Sequence, residues 1–171
     1  MLLKIISYCD IHDTEQTLDQ LAKRIKDRLF QLYKKSRKIS EYCKELNVLL
    51  RYVLIDSKDL PEGFDVNTFG GALFFTHDLF ETETKIFICR DIFPEKYIRY
   101  IAIHETIESL TGSHDRALYD EFRMAKKELS DKNFKYYCTF RYTLLVQQKG
   151  SVEAARDALL PSVVKIALDS E

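Results

Sequence analysis

Residues 101–115 read IAIHETIESLTGSHD, from Ile101 to Asp115. The stretch opens with His104 and Glu105, places Glu108 one helical turn after the histidine, and reaches a second histidine, His114, ten residues after the first. Wound as a helix at about 100° per residue, Tyr97, Ile101, His104, Glu105 and Glu108 fall within an arc of roughly 100°. Tyr100, Ile103, Ile107 and Leu110 occupy another arc, and the side around Arg99 and Thr106 reads as the wettest. A histidine and two glutamates away from the wet side belong against protein or a cleft.

Glu105 and Glu108 repel one another there, and no Lys or Arg stands four residues from either: positions 101, 104, 109 and 112 are Ile, His, Ser and Gly. A cation from outside the helix is needed, and a tertiary arginine, a protonated histidine or a metal ion each meets the need. With a metal, His104 and Glu108 aim at one ion, Gly112 lets the chain turn back, and His114 supplies a third ligand from the next helix. Glu105 then stands where a general base for water is required. Without a metal, His114 is a helix-start residue between the N-cap candidates Ser113 and Asp115.

Outward from this stretch, Pro94 and Glu95 favour a helix start and Gly112 a helix stop. Lys85–Arg90 and Gly71–Thr76 read as short strands joined by a polar turn around His77, hence an antiparallel pair. Val48–Asp56 reads as a strand, and the Pro61, Gly63 and Gly70 punctuation makes 57–70 a loop. Further back, Leu18, Leu21, Ala22, Ile25, Leu29, Leu32 and Tyr33 recur at helical spacing behind Thr14 or Thr17. Ile39, Tyr42 and Leu46 extend that stripe past a break near Ser36. Leu2–Tyr8 reads as a first strand. Downstream, the chain reads as helical from His114 to its end, broken near 130–133, at Gly150-Ser151 and at Pro161.

The segment resembles the zincin-type metallopeptidases, whose H-E-x-x-H helix carries two histidine ligands and a glutamate base. The interval from His104 to His114 is similar to that of zincin groups whose third ligand is a histidine ten residues after the first. The resemblance spans Val48 to about Leu129, and His104, Glu105 and His114 match by type. It implies a zincin-like α+β domain with a peptidase-like hydrolase site, Glu105 as base and His104, Glu108 and His114 as metal ligands. Glu108 is the departure, standing where the family has histidine. A carboxylate there makes the ion less Lewis-acidic, so zinc leads but manganese or iron gains relative to an all-histidine site. Asp120 and Glu121 read as helix-surface acids, with a carboxylate ligand as the alternative, and Met124 lies within a helix rather than a methionine turn.

The remainder bounds the function. With 171 residues, one domain suffices, its helical C-terminal region running over about 114–171. Lys+Arg 26 against Asp+Glu 27 leaves no basic excess for a nucleic-acid footprint. The local basic segments Lys23–Arg28 and Lys34–Lys38 read as solvated surface. Cys9, Cys43, Cys89 and Cys138 form no C-x-x-C pair and read as reduced thiols. No apolar run approaches the roughly 18 residues of a membrane span, and Leu2–Tyr8 does not read as a signal peptide, so the expected address is the cytoplasm. The expected partner is a peptide or protein: a substrate of the hydrolase, or, in the alternative, a protein bound by an inactive zincin-like scaffold through the helix bearing Lys23–Lys38.

Overall fold

The computed structural model describes residues 15–60, 71–75 and 84–169. Helix α1 (Glu15–Lys35) leads into strands β1 (Lys38–Cys43) and β2 (Val48–Ile55), a short 3-10 turn at Ser57–Asp59, and strands β3 (Ala72–Phe75) and β4 (Lys85–Cys89). Helices α2 (Glu95–Thr111), α3 (His114–Glu128), α4 (Asp131–Lys149), α5 (Val152–Asp157) and α6 (Pro161–Leu168) follow. The expected strand at Leu2–Tyr8, the turn around His77, most of the expected 57–70 loop and Cys9 lie outside the described residues. The chain is an α+β protein with a mixed sheet, as its patterning implies.

The sheet order is β1-β2-β4-β3. β3 and β4 pair antiparallel, from Ala72 opposite Ile88 to Phe75 opposite Lys85, while β2 and β4 run parallel. One sheet face meets α1, whose Ile25 and Leu29, one turn apart, pack with Val53, Ile55, Phe87 and Cys89. The other face carries the larger core, in which Leu50, Tyr52, Ile86 and Ile88 meet Ile101, Ile103 and Ile107 of α2. α2 is thus a central helix, covered by the sheet on one side and by α3 on another.

Two expectations are corrected here. Ile39, Tyr42 and Leu46 do not prolong the helix: α1 stops at Lys35, Ser36 Oγ donates to the Leu32 carbonyl, and residues 38–43 form β1. β1 pairs antiparallel with β2, Lys38 opposite Val53 through Cys43 opposite Val48. Asn47, at φ 54°, takes the left-handed conformation that closes this hairpin. Helical spacing arose there by coincidence, and the backbone partners offered by β2 decided the outcome. Second, the side of α2 around Thr106 is not wet: Thr106 is buried, as is every residue from Tyr100 to Ile107. Arg99 is only partly exposed, held by Glu128 of α3 at 2.9 and 3.1 Å and by Glu41 of β1.

Among the described residues, no helix is long and apolar enough to cross a membrane. Cys43, Cys89 and Cys138 are free thiols, the first two buried. Of the aromatic residues on α4, Tyr137 and Phe140 pack onto Tyr97, whereas Tyr136 faces outward.

Candidate metal centre

The corner between α2 and α3 builds the site. Gly112, at φ 67°, caps α2 by donating its N–H to the Glu108 carbonyl. Ser113 opens α3, its side chain accepting from the Arg116 amide. With only two residues between the helices, His114 begins α3 directly above the last turn of α2. The His104 and His114 rings lie 4.9 Å apart, nearly perpendicular.

Glu108 joins the two histidines. One of its oxygens, Oε2, lies 3.2 Å from His104 Nε2 and 3.3 Å from His114 Nδ1. The three residues each present a ligand atom within 4.8 Å of the others, so the group could hold a metal ion. Bonds of about 2.0–2.1 Å to a tetrahedral ion place ligand atoms about 3.3 Å apart, which both Glu108 contacts match. Two imidazoles and one carboxylate form a recognised catalytic zinc set with a fourth position left open, and the set suits manganese or iron as well. His104 is buried, Glu108 half-buried and His114 exposed, so the cluster runs from the core to solvent.

Behind His104 lies a second layer. Glu121 of α3 is fully buried and Asp120 nearly so, which corrects the reading of both as surface acids. Asp120 is held by Arg116 at 2.7 Å and Arg123 at 3.0 Å. Glu121 turns its Oε2 toward His104 Nδ1 at 2.7 Å, a close charge pairing that is not aligned as a straight hydrogen bond. Arg141 of α4 grips Glu121 with two N–H groups at 2.7 and 3.1 Å, and the Tyr137 hydroxyl donates to it. Glu121 and Arg141 stand 17 and 37 residues beyond His104, and no local spacing marks them. The cation expected beside the α2 acids comes at Glu108 from His104 and His114, whereas Arg141 pairs with the α3 acid Glu121.

These environments separate the acids. Burial pushes Glu105 up to about 7, with His104 opposing and Glu108 adding to the rise. Glu108 is held down at about 2 by its hydrogen bonds to His104 and His114. Burial would push Glu121 up, but Arg141 and His104 outweigh it and keep the carboxylate ionised. For His104, too, burial alone would lower the pKa, yet the flanking Glu108 and Glu121 raise it to about 9. Without an ion the imidazole is therefore a cation between two carboxylates, and a proton occupies the place a metal would take.

All four residues singled out in the sequence, His104, Glu105, Glu108 and His114, belong to this one region. The basic segment does not: Arg28, Lys35 and Arg37 border a cleft of about 460 Å³ beside α1, together with Asp56, Asp59 and Arg90. No protein-family model matches the chain, and no curated protein or solved structure matches it.

Proposed function

We propose that the chain is a zincin-like metal-dependent hydrolase acting on a peptide bond, with His104, Glu108 and His114 as ligands and Glu105 as general base. The observation that carries the reading is the convergence of both imidazoles on one carboxylate oxygen, at 3.2 and 3.3 Å, separations suited to a shared tetrahedral ion. Relative to H-E-x-x-H with a histidine ten residues after the first, Glu108 exchanges one imidazole ligand for a carboxylate. Zinc is the favoured ion, and manganese or iron fits the same donors.

When bound, the ion supplies Lewis-acid polarisation of the substrate carbonyl. The remaining work falls to side chains. Glu105, raised to about 7 by burial, is close to half-ionised at neutral pH, so its carboxylate can take a proton from the attacking water and return it to the leaving amine. Its position within electrostatic reach of His104 and Glu108 supports that role. The buried flank of the cluster keeps bulk water from His104, while the exposed His114 leaves the outer side open to an extended substrate.

Metal analysis of protein purified without added ions tests the reading. One equivalent of divalent metal is expected in the wild type and none in Glu108→Ala or His114→Ala. A metal-free wild type whose stability is unchanged by both substitutions overturns it. Hydrolysis of a peptide panel that falls by about 100-fold or more in Glu105→Gln, with metal content kept, supports catalysis. Stoichiometric metal with no hydrolysis in either protein would instead make the chain an inactive scaffold that binds a protein partner.

A further inference from the structure

Three residues make four hydrogen-bonding or charge-pairing contacts with Glu121. Oε1 accepts from the Tyr137 hydroxyl and from Arg141 Nε at 2.7 Å. Oε2 accepts from Arg141 Nη2 at 3.1 Å and faces His104 Nδ1 at 2.7 Å. A carboxylate offers about four lone-pair positions; Tyr137 and Arg141 take three, and what remains faces His104 Nδ1 in the core, away from the open cluster. The two ring nitrogens of His104 also point to opposite sides: Nε2 toward Glu108 and the open cluster, Nδ1 toward Glu121 and the core.

We propose that Glu121 is a positioning residue and not a ligand: held by Arg141 and Tyr137, it keeps the His104 proton on Nδ1 and so turns the Nε2 lone pair toward the metal position. This rests on the metal-site reading and assigns its second layer. An imidazole ligand whose other nitrogen faces an anchored carboxylate has its tautomer and ring angle fixed, and it becomes a more basic donor. Arg141 has a separate task here. It neutralises Glu121 inside the core, so that the carboxylate orients His104 without drawing the ion away from Glu108 and His114.

The test is a titration of the full-length, metal-stripped protein with Co²⁺, read by its visible absorption and by competition with a chromophoric chelator. Glu121→Gln is expected to weaken Co²⁺ binding by about 10- to 100-fold while the absorption band keeps its shape and intensity, since the three ligands are unchanged. The pair Glu121→Gln with Arg141→Met removes both buried charges together and should show the same loss if the single variant folds poorly. Unchanged affinity in either folded variant overturns the proposal, and a changed absorption band makes Glu121 a ligand and overturns it too. If the wild type takes up no Co²⁺, the metal-site reading fails by itself. The tautomer is still decided by long-range ¹⁵N–¹H NMR of the metal-free protein at a pH where His104 is neutral. A proton on Nδ1 in the wild type that moves to Nε2 in Glu121→Gln is expected; a wild-type proton on Nε2 overturns the inference.

Discussion

Glu108 Oε2 stands 3.2 Å from Nε2 of His104, one turn back on the same helix, and the same oxygen serves His114 at 3.3 Å. Removing that carboxylate should therefore affect both histidines at once. Glu108→Gln is expected to weaken Co²⁺ binding by more than about 100-fold, beyond what loss of an outer partner causes. It should also destabilise the metal-free protein by about 1–3 kcal/mol at neutral pH, because charged hydrogen bonds are replaced by neutral ones. Calorimetric titration and urea unfolding read the two effects. A variant that binds as tightly as the wild type removes Glu108 from the ligand set.

The proton on His104 makes metal uptake pH-dependent. In the metal-free chain His104 titrates at about 9, and an ion must displace its Nε2 proton. Affinity should thus rise about tenfold per pH unit between pH 7 and 9 and flatten above. Titrations at several pH values give the slope, and a flat profile contradicts a role for His104 as ligand.

Stability without metal should follow the opposite course. The folded pKa of His104 is raised from 6.5 to about 9, so its stabilisation is fully present below 6.5 and is lost as pH rises through 9, on the order of 3 kcal/mol at most. Glu108 is depressed from 4.5 to about 2, so its contribution is present above 4.5 and is lost as pH falls through 2. Glu105 is raised from 4.5 to about 7, so its contribution is present below 4.5 and is lost as pH rises through 7. The metal-free protein should therefore be most stable near pH 4.5 and decline on either side. Urea unfolding with a chelator checks this, and in His104→Gln the part of the decline that runs from about pH 7 to 9 should disappear.

How far the chain could be read from its residues depended on whether the deciding partner was local. α2 was legible because Pro94 and Gly112 bracket it, and β4 because Lys85–Cys89 is a run of β-formers after an apolar partner. β1 was not, since Ile39, Tyr42 and Leu46 fit a helical stripe and only the hairpin with β2 makes them a strand. The ligand candidates lie within one eleven-residue window and could be gathered by helical geometry. Glu121 and Arg141 sit on two later helices and look like ordinary charges there. Nothing in their own helices states that α3 and α4 fold them inward against His104.

Arg141 is the sharper test of that buried layer. Glu121 is fully buried, and Arg141 is partly buried with 18% of its side chain exposed. Arg141→Ala takes two hydrogen bonds and the guanidinium charge from a buried carboxylate that keeps only Tyr137 and His104, and is expected to cost about 3–5 kcal/mol. Adding Glu121→Gln should recover part of that loss, since the stranded charge is gone. A double-mutant cycle by chemical denaturation measures the coupling, and additive effects would show that the two side chains act independently.

Two glycines separate backbone strain from crowding. Gly112 has φ 67° with open space where a Cβ would stand, so Gly112→Ala should cost only the left-handed backbone penalty, about 1–2 kcal/mol. Gly71 has φ 84°, and a Cβ there would meet Ile92 Cγ2 at 2.9 Å and Phe93 at 3.0 Å. Phe93 is buried in the core beneath α2, and Gly71 also accepts from the Cys89 amide, so neither side can yield cheaply. Gly71→Ala should add an overpacking cost of about 1–3 kcal/mol to the backbone penalty. Thermal unfolding of both variants provides the comparison: a loss in Gly71→Ala no larger than in Gly112→Ala would mean that the contact with Ile92 and Phe93 relaxes freely.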